Sequence, residues 1–226
     1  MQKFRTLATC VGLAIAAVSS AHAATVIADG NGTANSADCT FGCVTRYQQM
    51  YSSALFSGVN DITSLSFFVA DNSPTSAFAN SIYQLSLSTA ATSLGSMSST
   101  FASNAGSDAT IFDVITLNGS LVGGSAITFN GSFAYDASQG DLLVDIQHLS
   151  GPRLSTNLSY NQGGDTDGEY MRLYSFGGTT SGYSPAAYGN LTSFEVSPVS
   201  PVPLPAGVWM LGLGLAALGA LRRKGA

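Results

Sequence analysis

Few side chains in this sequence belong to types that do covalent or metal chemistry, so their spacing decides what each can do. The densest group is Gly163-Gly164-Asp165-Thr166-Asp167-Gly168-Glu169. Carboxylates at Asp165, Asp167 and Glu169 in a glycine-rich loop suit calcium, a hard cation that takes oxygen ligands. The run lacks the spacing of a complete EF-hand loop, and it also reads as a solvated acidic turn ahead of a strand. Asp136 and Asp141 flank a second tight turn and are of the right type to cap its backbone amides. Cys39-Thr40-Phe41-Gly42-Cys43 has no histidine nearby and makes a poor zinc site. In an oxidising compartment the expectation is a Cys39–Cys43 disulfide, worth about 2 kcal/mol for so small a loop, with free thiols as the alternative.

Nucleophilic chemistry finds less support. His148 is the only histidine after residue 22, and its place beside Ser150-Gly151-Pro152 fits a structural role. Gly182-Tyr183-Ser184-Pro185-Ala186 resembles a nucleophile elbow loosely. Its proline follows the serine where a backbone N–H is needed for the oxyanion hole, and proline has none. No pair of acids is singled out for glycoside hydrolysis. No catalytic residue is assigned, and the chain is expected not to be an enzyme. Tyr170, Arg172, Tyr174 and Phe176 would share one strand face, with Tyr183 and Tyr188 in the loop that follows. Such rings can stack on sugars. The simpler reading makes that face the protein's own core and turns Met171 and Leu173 to solvent.

The elements that must position these groups read as strands. Period-two alternation marks 83–88, 141–148 and 169–176, the signature of a half-buried antiparallel strand. Further candidates are 45–51, 62–70, 110–117, 126–129, 131–135, 155–160 and 191–196. Tyr47, Met50 and Tyr51 also fit helical spacing, but the neighbouring runs favour a strand. Asn118-Gly119, Asn130-Gly131 and Gln139-Gly140 read as turns, since Asn-Gly accepts the positive φ of a type I′ hairpin. About ten short strands with frequent turns predict an all-β fold, an antiparallel, jelly-roll-like β-sandwich.

The two ends carry addresses. Residues 1–23 have Lys3 and Arg5, an apolar run from 7 to 18, and Ala21-His22-Ala23 before Ala24, the pattern of a secretory signal cut between Ala23 and Ala24. At the other end, 201–226 holds Val202-Pro203-Leu204-Pro205-Ala206, an apolar stretch to Leu221, and Arg222-Arg223-Lys224. Residues 206–221 reach about 24 Å as a helix, against a hydrocarbon core about 30 Å thick. A transmembrane helix over about 204–221 closes that gap, and the basic cluster keeps its end cytoplasmic. The expected division is signal 1–23, body 24–200 and tail 201–226.

Of 226 residues, 9% are charged and 45% hydrophobic, which argues against a chain kept unfolded by self-repulsion. The body keeps three arginines, Arg46, Arg153 and Arg172, against all 13 acidic residues, a formal net of −10 with no lysine. That balance excludes a nucleic-acid binder. It is compatible with divalent cations or neutral polysaccharide.

The tail, in its order of Val202–Ala206 motif, Gly/Leu/Ala helix and Arg222-Arg223-Lys224 end, resembles the PEP-CTERM sorting signals of Gram-negative bacteria in their VPLPA-CTERM variant. The resemblance implies an exosortase, a membrane transpeptidase or protease, as partner. It also implies transient residence in the inner membrane with the body periplasmic, then a mature form at the cell surface or outside. The body looks like the β-sandwich ectodomain recurring in such proteins, on Arg46-Tyr47-Gln48-Gln49-Met50-Tyr51, Ile62-Thr63-Ser64-Leu65-Ser66-Phe67-Phe68 and the 135–146 stretch. It implies no catalytic residues. The expectation is a non-enzymatic surface or biofilm-matrix protein without a cofactor. The alternatives are a lectin-like carbohydrate-binding module, possible with calcium, and a polysaccharide-active enzyme.

Overall fold

The computed structural model describes residues 23–28, 36–38, 40–71, 76–153, 158–161 and 168–199. These residues form an all-β fold, with twelve strands and no α-helix among them. One sheet has four strands: β1 (Ala24–Ala28), β12 (Thr192–Pro198), β4 (Val59–Phe68) and β7 (Ala126–Asp136), in that order. The second has five: β10 (Tyr170–Ser175), β3 (Arg46–Tyr51), β8 (Leu142–Ser150), β5 (Ser76–Thr89) and β6 (Thr110–Leu121). A small sheet of β11 (Gly189–Asn190), β9 (Leu158–Asn161) and β2 (Ser36–Asp38) stands beside them. The pairs are antiparallel throughout.

The main core is aromatic. Phe41 and Phe67 sit 4.9 Å apart, Tyr51 meets Phe194 edge-on at 4.9 Å, and Phe56 meets Tyr135 at 5.1 Å. Tilted and edge-to-face contacts of this kind add about 0.5–1.5 kcal/mol per pair beyond area burial. A smaller core lies on the opposite face of the five-stranded sheet, where Met50, Leu143 and Leu173 are covered by Met97 and Phe101. β3 is therefore buried on both sides, with Tyr47 and Tyr51 in one core and Met50 in the other. A strand buried on both faces need not alternate, which is how Tyr47, Met50 and Tyr51 come to mimic helical spacing.

The same second core corrects the expectation for Met171 and Leu173. Leu173 is fully buried and Met171 packs at its margin, because residues 91–109 fold over that face. Two Asn-Gly pairs are also corrected: neither reverses the chain. Asn118-Gly119 lies inside β6, opposite a register shift in β5. The Asn118 Oδ1 accepts the Asn80 amide at 2.8 Å, and Asn80 and Gly119 have φ of 56° and 89°. A bulge uses the same left-handed tolerance that a type I′ turn would. Asn130-Gly131 lies inside β7 at its bulge against β4. A Cβ at Gly131 would stand 2.5 Å from the Phe112 carbonyl oxygen. The strands expected at 126–129 and 131–135 are one bent strand. Gln139-Gly140 does separate β7 from β8, through a single 3-10 turn over Ala137–Gln139.

Candidate functional site

β10 is an edge strand, and the chain turns back across it. The Arg172 amide donates to the Ala186 carbonyl at 2.9 Å, the Ala186 amide returns to the Arg172 carbonyl at 3.1 Å, and the Tyr183 amide donates to the Tyr174 carbonyl at 2.9 Å. The return segment is tied down on its far side as well. Gly182 donates to the Ser99 carbonyl at 2.9 Å and Phe101 to the Thr180 carbonyl at 3.1 Å. This path brings Tyr183 to 5.2 Å from Tyr174 and 6.0 Å from Phe176, with Tyr174 and Phe176 5.6 Å apart. Phe176 is 49% and Tyr183 56% exposed. The Arg172 guanidinium lies over Tyr174 at 5.1 Å and over Tyr188 at 5.4 Å, a cation–π arrangement. Of the face read from alternation, Tyr170 belongs to the main core, Arg172 and Tyr174 are half-buried, and Phe176 opens to solvent. The result is an exposed aromatic shelf on a fixed backbone, with a cation at its inner margin.

A second polar cluster was not legible in the sequence. On the outer face of the five-stranded sheet, Arg46 pairs with Asp145 through both Nε, at 3.0 Å, and Nη2. Gln48 Nε2 donates to Asp145 Oδ2 at 2.8 Å and to the Phe101 carbonyl at 3.1 Å, and Asn104 Nδ2 donates to Gln48 Oε1 at 2.9 Å. The Arg46 guanidinium sits 4.8 Å from the Phe101 ring centre. The cluster fastens residues 91–109 to the sheet. Alternation placed Asp145 outward, which is right, but nothing local announces that a distant loop covers it.

The remaining expected sites divide between described and other residues. Asp165 and Asp167 lie outside the described residues. Glu169 is half-buried, and its carbonyl accepts the Ser52 amide at 2.7 Å. Among the described residues no three acidic, histidine or cysteine side chains converge as metal ligands. Asp136 caps the turn as expected, its Oδ1 taking Ser138 N at 2.9 Å, but Asp141 does not: its carboxylate takes Ser53 N at 2.9 Å and Leu94 N at 2.8 Å, amides of other segments. The hydroxyl and amide of Ser138 hold the exposed Asp136 carboxyl below its ordinary value. Cys43 is disulfide-bonded; the other cysteines, Cys10 and Cys39, lie outside the described residues. Ser184 sits exposed in the return segment, with no helix behind it.

His148 lies two residues before the end of β8, with its ring 5.1 Å from Tyr83. Desolvation, then the nearby Arg153 charge, push its imidazole below the ordinary 6.5, while backbone bonds from Gly151 and Ser150 pull upward. A lowered folded-state value means the neutral ring is favoured. Its contribution to stability is full above pH 6.5 and is lost as pH falls through the folded value. An NMR titration is expected to place the imidazole below 6.5, and Arg153→Ala to raise it.

Signal residue Ala21 and the tail residues Val202, Pro203, Leu204, Pro205, Ala206, Arg222, Arg223 and Lys224 lie outside the described residues. Ala23 precedes β1, and Ala24 opens it opposite Val196 of β12. No helix among the described residues is long and apolar enough to cross a membrane. No protein-family model matches the chain, and no curated protein is similar to it.

Proposed function

We propose that this chain is an exported, non-enzymatic protein of the cell surface or extracellular matrix, carried there by a cleaved signal and a PEP-CTERM-type tail that an exosortase-type membrane enzyme processes. The observation that carries the reading is the ordered tail: Pro-rich motif, short apolar span, basic end. The fold is compatible with it. Pairing of Ala24 with Val196 sets the start of the body and the strand leading to the tail at one end of the sandwich, as a body with both ends directed at one membrane requires. The chain crosses between the sheets at β3–β4, β4–β5, β6–β7 and β7–β8, a winding we read as jelly-roll-like. Cys39 is the partner assigned to Cys43 in the exported product. Intact-mass analysis of the native product tests both ends and the disulfide together. The expected product begins at Ala24, ends near 202–206 and is two hydrogen atoms lighter than the dithiol. A full-length mass overturns the reading.

A second reading is favoured by the shelf itself. Phe176 and Tyr183 are half-exposed rings on a rigid edge of a body that bears no lysine, and they offer apolar faces to a neutral sugar. Glycan-array binding is expected to fall by about tenfold in Phe176→Ala and Tyr183→Ala, one stacked ring being worth roughly 1 kcal/mol or more. Loss of binding in EDTA would bring Asp165, Asp167 and Glu169 in as calcium ligands. Absence of binding to any glycan rejects this second reading.

A further inference from the structure

The two large sheets have four edges, and three of them are closed among the described residues. The return segment 182–186 bonds along β10. β6 and β7 close on one another, where the Asn130 amide donates to Asp113 Oδ2 at 2.8 Å and Gly131 packs on the Phe112 carbonyl. β1 is the fourth edge. It pairs with β12 on one side and with no other described strand. Its side chains, Ala-Thr-Val-Ile-Ala, include neither a charge nor a proline, the devices by which edge strands repel one another. Ile27 stands 55% exposed on it.

We propose that β1 is a self-pairing edge, by which two copies of this chain join antiparallel about Val26 into one continuous sheet. The strand is nearly palindromic in that register. Ala24 meets Ala28 of the second copy, Thr25 meets Ile27, and Val26 meets Val26. β-branched cross-strand pairs of this kind are favourable. Thr25 and Ile27 share one face of the strand, while Val26 and Ala28 continue the buried layer on the other. Charge does not oppose the approach, although the body carries a net of −10. The acid beside β1 on the neighbouring strand is Glu195, which accepts the Thr25 hydroxyl at 2.8 Å. Across the two-fold axis the two Glu195 lie three strand spacings apart, about 14 Å, beyond the Debye length of about 8 Å at physiological salt. The exported chain begins at Ala24, so nothing ahead of the strand obstructs its partner.

The geometry also orders the event. An antiparallel pair points the two Ala24 ends, and the Pro198 exits near them, in opposite directions. Bodies standing on one membrane by their tails point the same way. Edge pairing therefore belongs to bodies released from the tail, and in this respect it rests on the proposed processing. A five-residue edge is much smaller than a standard interface of about 1,600 Å². The association is accordingly weak and suited to the crowded surface or matrix.

Oxidative cross-linking of the exported native product tests the register. V26C lies on the two-fold axis and is expected to form a disulfide-linked homodimer. I27C, offset from its own copy by about two residues, roughly 7 Å, is expected not to. Chains bearing T25C and I27C, mixed, are expected to link to each other. In sedimentation equilibrium, I27E is expected to weaken the wild-type dimer by about tenfold, since it sets acids against the Glu195 flank. I111E, at a site 59% exposed on β6, is expected to leave it unchanged. A monomer at every concentration with no V26C dimer overturns the proposal, as does I27C linking as readily as V26C. V26C dimers in a product that retains its tail would uphold the edge and reject the processing reading. Equal V26C linking of tail-bearing chains in one vesicle would overturn the requirement for release.

Discussion

Asp145→Ala is expected to lower the unfolding free energy by about 3–5 kcal/mol, a large share of the roughly 5–15 kcal/mol available to a domain. Asp145 and Arg46 are almost withdrawn from water, with side chains 9% and 16% exposed. Removing the carboxylate leaves the guanidinium without a counter-charge against the Phe101 ring, with the Thr179 carbonyl as the remaining acceptor, of its Nη1. It also takes away one of the two acceptors of Gln48 Nε2, leaving the Phe101 carbonyl, in the side chain whose Oε1 accepts from Asn104. The loss should be felt beyond the pair, because Phe101 and Met97 are the lid of the second core. Urea unfolding measures the free energy, and limited proteolysis is expected to cut first within 91–109. The pair's desolvation cost gives a contrary control. Replacing both members, Arg46→Met with Asp145→Leu, is expected to be far milder than Asp145→Ala alone, as apolar groups of similar volume avoid the buried, unpaired charge. If single and double variants lose the same stability, the clamp is not electrostatic.

That clamp marks the boundary of what the sequence makes legible. Strand identity was legible where one face is buried and the other wet, as along 83–87, where Tyr83, Leu85 and Leu87 are buried and Gln84 and Ser86 are half-buried; at Ser88 the outer face is covered too. It blurred along β3 and β10, because a loop remote in sequence buries their second face. No window of alternation contains that information. The Asn-Gly pairs failed for a related reason. They report a backbone that tolerates unusual φ or close approach, and a bulge inside a long strand asks for this as much as a hairpin does. Which one forms depends on the register with β5 or β4, a non-local property. The site followed the same pattern. Capping by Asp136 was readable because it is local, whereas the amides that Asp141 takes, Ser53 and Leu94, come from segments remote in sequence. The aromatic shelf was half-readable: Tyr174 and Phe176 come from alternation. The approach of Tyr183 depends on the hydrogen bonds by which the return segment crosses β10. The strand β1 escaped notice because it is short and lies against a cleavage pattern.

Replacing Pro203 and Pro205 together by alanine is expected to leave nearly all of the chain as an unprocessed, membrane-bound form, and so is deletion of residues 222–224. The two lesions act differently. In the proposed processing, Pro203 and Pro205 are the residues that resist helix formation at the motif, and alanine removes that resistance. In the same proposal the basic cluster would keep the tail's end out of the bilayer, since each such charge costs about 2.5–3.5 kcal/mol at its centre. The folded body adds a constraint of reach. β12 is held by β1 to Val196 and by β4 to Pro198, and the Val199 amide still bonds to the Val59 carbonyl at 3.3 Å. From Val199 to Ala206 seven residues span at most about 25 Å, and about 22 Å in the polyproline form. On the proposed reading, an enzyme acting on the motif would work within that distance of the folded body. Shortening that distance by deleting residues 200–201 is expected to slow release severalfold, whereas a Gly-Ser insertion after Val199 is expected to be tolerated. Fractionation followed by intact-mass measurement reads all four variants. Release of the double proline variant at the wild-type rate would mean that the motif is not what the membrane machinery recognises.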